Sequence, residues 1–509
     1  MDLPGLRTDC PPALRVLSLV IVWAMVAPCW GFNSNGQWTS TASEPTTAGL
    51  GKPVTLTWSI VPDDTSTFGS LHSDLITDFD ALIGGGTGTV EQRSWFSLLE
   101  QSFARWSEIS GVNLVYEPND DGTPMPNSLG ELGVRGDIRI GGSFLDGNGG
   151  TYGSTGFIPS PHITLDTGDT ARYSDSTDNY FGLRQTLTHE IGHALGLGHN
   201  QALGAFVLMH PFAQTAFDGP QLDDILGMHY LYGDAYERGL PDGNNQYASA
   251  TDLGAIAVGA SVAIGDDVPM VRGKIEPDAD DFASISFAGD EDYYKFQLED
   301  YSLVDLLLTP GGFLYQESVT GSNFVPIDTQ AQNDLTLALY AADGDQTQLV
   351  DFANNTGLGG TEQLAAVLLA PGEYAVRVAG SSAAVQLYEL AIDVALDPAI
   401  TTVAGDFNED GRVDLADYTV WRDALGTAGP LANAPGASAT VDAADYAVWK
   451  ANFGAMSLAP STAPGERQSV PEPKSLMVLL LGMAAIRIVD GGGLFFSRSQ
   501  FSRSRESGL

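Results

Sequence analysis

The feature that most constrains this 509-residue chain is a string of eleven residues, His189-Glu190-Ile191-Gly192-His193-Ala194-Leu195-Gly196-Leu197-Gly198-His199. His189 and His193 are four apart, so on a helix both imidazoles project from one face. Glu190 stands beside His189 and can reach water at a metal without ligating it. A third ligand must approach from another direction, so the helix has to stop. Gly196 allows the left-handed turn that ends it, and His199 then returns toward the same point. Three neutral imidazoles with an open fourth position suit catalytic zinc, bonded at about 2.0–2.1 Å. Zinc in such a site lowers the pKa of water and polarises a carbonyl. Glu190 would act as general base, taking the water proton and passing it to a leaving amine. The competing reading is a helix with incidental surface histidines. It has to explain why three of only seven histidines fall on the ligand positions.

Length sets a prior of roughly three domains, and the 43% hydrophobic content is that of a folded protein. The net charge of −41 argues against nucleic acid as a partner, because phosphate binding needs basic patches. Most of the excess carboxylates read as solvated surface. The two cysteines, Cys10 and Cys29, lie within the first 31 residues. Arg7 and Arg15 precede an apolar run from Val16 to Ala27, so residues 1–31 read as a secretory signal peptide, too short for a membrane span. Cleavage near Gly31 leaves a mature chain without cysteine, which excludes disulfides and a thiolate zinc site. A lipoprotein reading would use Cys29, but Pro28 before it fits poorly. Residues 32–52, rich in Ser, Thr, Gly and Asn, read as a flexible lead-in.

From Pro53 the pattern becomes regular. Val54 to Ile60 alternates like a strand. Phe96, Leu99, Phe103 and Trp106 recur at helical spacing within Trp95–Ile109. Asp137–Ile140 and His162–Leu165 read as strands around a loop at Asp146-Gly147-Asn148-Gly149-Gly150. Helices follow over Leu183–Leu195, carrying the histidines, and over Leu222–Leu231, closed by Tyr232-Gly233. Strands before helices predict an α+β domain.

With these residues in place, the stretch from Thr188 to His199 resembles the matrixin branch of the metzincin metalloproteases. Val207-Leu208-Met209-His210-Pro211 is similar to that family's Met-turn, with Met209 under the metal, and Leu222–Gly233 is similar to its closing helix. The resemblance covers residues 53–235. It implies a five-stranded sheet over helices, a substrate extended along an edge strand, and zinc hydrolysis of protein or peptide substrates. Matrixins commonly stay latent through a propeptide cysteine, and none is available here. The family's structural-zinc segment is incomplete as well. His162 with Asp166 and Asp169 is either its remnant or, as we favour, a strand start and loop carboxylates. His72, His210 and His229 read as ordinary structural or surface residues.

After residue 236 short β runs recur between turns, at Tyr293–Phe296, Leu335–Tyr340, Tyr374–Val378 and Leu387–Leu390. They predict an all-β sandwich over 246–397. Asp290–Phe296 and Pro371–Val378 resemble the bacterial pre-peptidase C-terminal domain, which implies an accessory binding role; a passive spacer is the alternative. Residues 398–455 form a small α module. Asp406, Asn408, Asp410, Asp414 and Asp417 fall at positions 1, 3, 5, 9 and 12 of a calcium loop with Gly411 at its sharp turn. This pattern resembles a dockerin repeat, which implies a cohesin-like partner; calcium-stabilised spacing is the alternative. Ala434, Gly436 and Ser438 replace the early ligands of the second copy, so one calcium site is expected. Residues 456–470 are linker. Residues 471–489, Pro471-Glu472-Pro473 followed by an apolar run and Arg487, resemble a PEP-CTERM sorting signal, before a tail over 490–509. That implies transient membrane contact and a secreted or cell-surface place in a Gram-negative bacterium.

The expectation is therefore a secreted zinc endopeptidase acting on extracellular proteins, with Gly196 and Met209 as structural support. Its rivals are a non-catalytic surface adhesin or calcium-dependent binding protein, and a protease that only matures itself. Neither substrate, latency control nor oligomeric state is legible in the residues.

Overall fold

The computed structural model describes residues 31–455, apart from 127, 240–242, 321–322, 345, 397–402 and 435–439. The signal segment expected over 1–31, apart from Gly31, and the linker, sorting segment and tail expected from 456 onward lie outside the described residues.

The first part runs β1 (Val54–Ile60), α1 (Leu75–Phe79), α2 (Phe96–Glu108), β2 (Val112–Tyr116), β3 (Ile138–Ser143), β4 (Gly153–Thr155), β5 (His162–Asp166), α3 (Thr170–Tyr173), α4 (Phe181–Ala194), β6 (Ala202–Leu203) and α5 (Leu222–Tyr232). Five strands form one sheet in the order β2-β1-β3-β5-β4. Its pairs are parallel except β4, which runs antiparallel to β5 along the edge. The helical spacing read from Phe96, Leu99, Phe103 and Trp106 buries all four. The Trp58 ring of β1 stacks on Phe103 at 4.3 Å, which fixes α2 against the sheet. Trp106 Nε1 donates to Thr188 O at 3.0 Å, which fixes α4 against α2.

The expected flexible lead-in is corrected. Residues 32–52 are anchored at a few points, although about half of them are exposed. Trp38 is buried, and its Nε1 donates to Ala194 O at 3.0 Å, at the end of α4. Asn35 N donates to Gly196 O at 2.7 Å, and Gly198 N to Asn33 O at 2.8 Å. The low apolar content had pointed to disorder, but one large ring and a short backbone pairing anchor the segment as a strap.

The second part is the expected sandwich. Its strands are β7 (Thr251–Ala255), β8 (Ser261–Ile264), β9 (Ala283–Ile285), β10 (Glu291–Leu298), β11 (Ser302–Pro310), β12 (Leu314–Thr320), β13 (Asn323–Asp328), β14 (Leu335–Asp343), β15 (Gln346–Ala353), β16 (Glu362–Leu369), β17 (Gly372–Gly380) and β18 (Gln386–Leu396). One sheet has the order β15-β14-β17-β10-β7 and the facing one β16-β11-β18-β8, with β9 also on β18. Alternate residues of β10 and β11 are buried, as a half-covered strand requires. The β12–β13 hairpin belongs to neither sheet; it pairs instead with β6 of the first part.

The border between the two parts is consequently not a linker. Phe313, Tyr315 and Ile327 of the sandwich lie in the same core as the helix of the histidines. His229 of α5 is fully buried, with Nε2 2.7 Å from Ile109 O and Nδ1 2.9 Å from Ser284 Oγ of β9. Asp234, Glu237, Asn244, Asp290 and Asp292 are buried at the same joint. Glu237, Asp290 and Asp292 each keep at least one buried oxygen without a hydrogen bond. Burial raises all four carboxyls, Asp234 to about 8 and Asp290 to about 6.

The third part holds α6 (Leu415–Ala424) and α7 (Ala443–Asn452) around Phe407, Val413 and Trp449. Each helix starts on a capping box, Asp414 with Asp417 and Asp442 with Asp445.

Candidate active site

Helix α4 carries His189 and His193 one turn apart. Its last residue is Ala194, and Gly196 follows at φ +106°. A side chain at Gly196 is excluded twice. That φ disfavours any Cβ, and the Cβ would overlap Gly36 O of the strap. The turn returns the chain so that His199 Nε2 stands 3.2 Å from His189 Nε2 and 3.1 Å from His193 Nε2. Two ligands on a tetrahedral zinc with bonds of 2.0–2.1 Å are separated by about 3.3 Å, so the spacing fits that ion.

The protonation pattern fits as well. His189 Nδ1 lies 2.8 Å from Leu208 O, and His193 Nδ1 2.8 Å from Leu197 O. A carbonyl oxygen only accepts, so both Nδ1 atoms carry the proton and both Nε2 atoms keep a free lone pair. Burial holds His189 and His193 down to about 4 and lowers His199, which keeps the rings neutral. Among the described residues, these three histidines are the one group of three or more His, Cys, Asp or Glu side chains whose ligand atoms lie within 4.8 Å of one another.

Glu190 is buried, and its Oε2 accepts from Thr155 Oγ1 of edge strand β4 at 2.6 Å. Burial raises its pKa. Met209 lies beneath the helix. A Cβ on Gly192 would stand 2.5 Å from its sulfur, so that glycine is required for the close approach. Asp224 of α5 holds the turn in place, accepting from Leu208 N at 2.8 Å and Met209 N at 3.0 Å.

The residues anticipated for zinc therefore converge, with Gly196 and Met209 in supporting places. Thr155 and Asp224 went unassigned in the sequence. Asp224 sits in the closing-helix pattern, where its partner could be guessed; no signal marks Thr155.

The calcium loop is drawn together only in part. Asp406 accepts from Gly411 N at 2.9 Å, and Asp417 from Phe407 N at 2.7 Å and Asn408 N at 3.1 Å. Asn408 Nδ2 bonds Asp410 Oδ2 at 2.6 Å. Asp414, expected as a ligand, also caps α6, its Oδ1 accepting from Ala416 N at 2.7 Å. These carboxylates answer backbone N–H groups and do not converge on one point as the histidines do.

Asp166 accepts from Leu145 N, Asp146 N, Gly147 N and Gly168 N, and Asp169 from Gly149 N. Both carboxylates organise the loop after β3. His162 bonds Ser160 O at 3.4 Å and does not join them.

Residues 86–233 match the matrixin peptidase family model. The chain is 30% identical over 161 residues to metalloendoproteinase 2-MMP of Arabidopsis thaliana, covering 28% of this chain and 38% of that protein. It is 31% identical over 151 residues to an interstitial collagenase of Sus scrofa, covering 28% and 29%. The chain thus spans less than two fifths of the length of these relatives. The pre-peptidase C-terminal domain of a Bacillus anthracis collagenase aligns over 28% of this chain and 96% of its own, at 14% identity and a TM-score of 0.16, too low to carry an argument. The matched family segment contains the three histidines, Glu190 and Met209. Family and relatives together support a zinc metalloendopeptidase.

Proposed function

We propose that the chain is a secreted zinc endopeptidase that hydrolyses peptide bonds of extracellular proteins. The observation that carries this reading is the convergence of three Nε2 lone pairs at 3.1–3.2 Å beside a buried Glu190. Zinc held by His189, His193 and His199 supplies a Lewis acid that polarises the scissile carbonyl and acidifies water. Glu190 takes the proton of the attacking water and delivers it to the leaving amine. The Thr155 hydroxyl occupies Oε2, which leaves Oε1 as the atom that carries the proton. Edge strand β4 offers free backbone groups next to that carboxylate, where an extended peptide can add as a further strand. Met209 and Asp224 keep the floor of the site in place.

Glu190→Ala is expected to keep zinc and lose peptide hydrolysis. Chelator-sensitive cleavage that persists in this variant defeats the assignment of the base.

The finer parts of the proposal rest on the residue patterns alone. Residues 1–31 direct export, and 471–489 act as a sorting signal that brings transient membrane contact and a cell-surface destination in a Gram-negative bacterium. Residues 398–455 bind one calcium ion, with docking to a cohesin-like partner as the dockerin resemblance implies. Calcium titrated into the full chain is expected to bind this module in the micromolar-to-millimolar range. Loss of that binding in Asp406→Ala supports the assignment, and a silent titration overturns it.

A further inference from the structure

His199 is the exposed ligand of the three, and it lies beyond the helix that fixes the other two. Asn33 Nδ2 of the strap donates to its carbonyl oxygen at 2.7 Å, and its chain neighbours hold it from the other side. Asn200 follows directly and is buried. Its N–H donates to Met209 O at 2.8 Å, and its Nδ2 donates to Gly31 O at 2.8 Å and to Asp223 Oδ2. The other oxygen of Asp223 accepts from the hydroxyl of Tyr315. Tyr315 belongs to β12, in the hairpin that leaves the two sandwich sheets to pair with β6.

The backbone repeats this connection. β6 exists because β12 lies beside it, with Gln316 opposite Leu203 and Glu317 opposite Ala202. Ser318 N donates to Gln201 O at 2.9 Å. Asn200, Asp223, Tyr315 and Glu317 are all buried, so this polar chain is shielded from water. Asp224, next to Asp223, is the residue that holds the Met209 turn.

We propose that the β12–β13 hairpin is a working part of the metal site. Through Tyr315, Asp223 and Asn200 it positions His199, so metal affinity and turnover depend on that hairpin. Tyr315 is here a positioning residue. The proposal rests on the zinc reading of the three histidines.

Partners bonded directly to a ligand typically govern metal affinity by about 10–100-fold, and Tyr315, which reaches His199 through Asp223 and Asn200, acts at the low end of that range. Tyr315→Phe in the full chain removes one hydroxyl and keeps the ring. Zinc affinity, read by competition with a chromogenic chelator, is expected to fall by up to about 10-fold. At saturating zinc, kcat on a peptide substrate is expected to fall while KM holds. Tyr294→Phe is the control, because Tyr294 is an equally buried tyrosine whose hydroxyl bonds Tyr388 inside the sandwich at 2.8 Å. It is expected to leave zinc affinity unchanged. A folded Tyr315→Phe protein with wild-type zinc affinity overturns the proposal, as does an equal loss in both variants.

A second measurement needs no variant. Coupling is reciprocal, so zinc added to the metal-free wild-type chain must slow amide exchange in residues 314–318 as well as 197–203. Protection confined to 197–203 overturns the proposal and leaves the zinc reading intact. A chain that binds no zinc at all overturns the zinc reading itself, and this proposal with it.

Discussion

Helix α5 is flanked by two buried acidic groups that are managed in opposite ways. At its start, Asp224 faces three backbone donors, Gln221 N, Leu208 N and Met209 N. Burial pushes it up to about 6, and those hydrogen bonds restrain the rise. Just past its end, burial raises Asp234 to about 8, with the charges of Asp290 and Asp281 adding to the rise that Ser284 N and Tyr236 N restrain. The difference teaches that a buried carboxylate is tolerated where N–H groups converge on it and is costly where other carboxylates do. The first group serves the metal site. The second is a source of instability at the joint of the two large parts.

The largest effect is expected at the metal. His199→Ala removes a ligand supplied from beyond the helix, and peptide hydrolysis should drop by about 10³-fold or more, because several kcal/mol of transition-state stabilisation depend on the ion. Steady-state cleavage assays in buffered zinc check this; near-wild-type turnover would place the reaction elsewhere. Thr155→Val should lower kcat by about 10-fold, since it removes one hydrogen bond to a charged group of the site. An unchanged kcat would mean that the bond is incidental.

At the other end of α5 the sign reverses. Asp292→Asn removes a charge from the crowded joint while keeping an acceptor for the hydroxyl of Tyr388, which now bonds Asp292 Oδ2 at 2.6 Å. The unfolded chain then no longer gains from ionising this carboxyl, so the chain should become more stable at pH 7, read as a higher Tm. A fall in Tm would mean that the charges are held by a cation.

A smaller, graded effect follows from pH in the wild-type chain. Asp234 and Asp290 have folded pKa values of about 8 and about 6, against an ordinary 3.8. Below pH 4 both states are protonated. As the pH rises, the unfolded chain ionises first, so this part of the stability is lost between about pH 4 and 8 and then levels off. Lys52 opposes the rise of Asp290, which softens its share. A joint that gains stability across that range contradicts the assignment.

The metal site was legible because it is local. Eleven consecutive residues contain three ligands, the base and the turn, and a helix needs no distant information to align two of the rings. β1, β3 and β5 of the first sheet and β10, β14, β17 and β18 of the second part showed in the residues for the same reason, while β2 and the three-residue β4 did not. The strap over 32–52 was hidden, because its order comes from Trp38 reaching Ala194 and from backbone bonds to the far side of α4. The cap that Asp414 makes was not read from the residues, because it depends on where α6 starts. β6 had no signature at all, since two residues carry no period and their partner lies in another part of the chain.

That last feature has a meaning in time. A chain is made from its N-terminus, so the segment that follows His199 emerges well before the strand that pairs with it. Until β12 arrives, Ala202 and Leu203 have no neighbour to hold them. The ribosome thus sets an order of assembly in which the helix of His189 and His193 can form early, while the loop of the third ligand settles only after much of the sandwich has been synthesised.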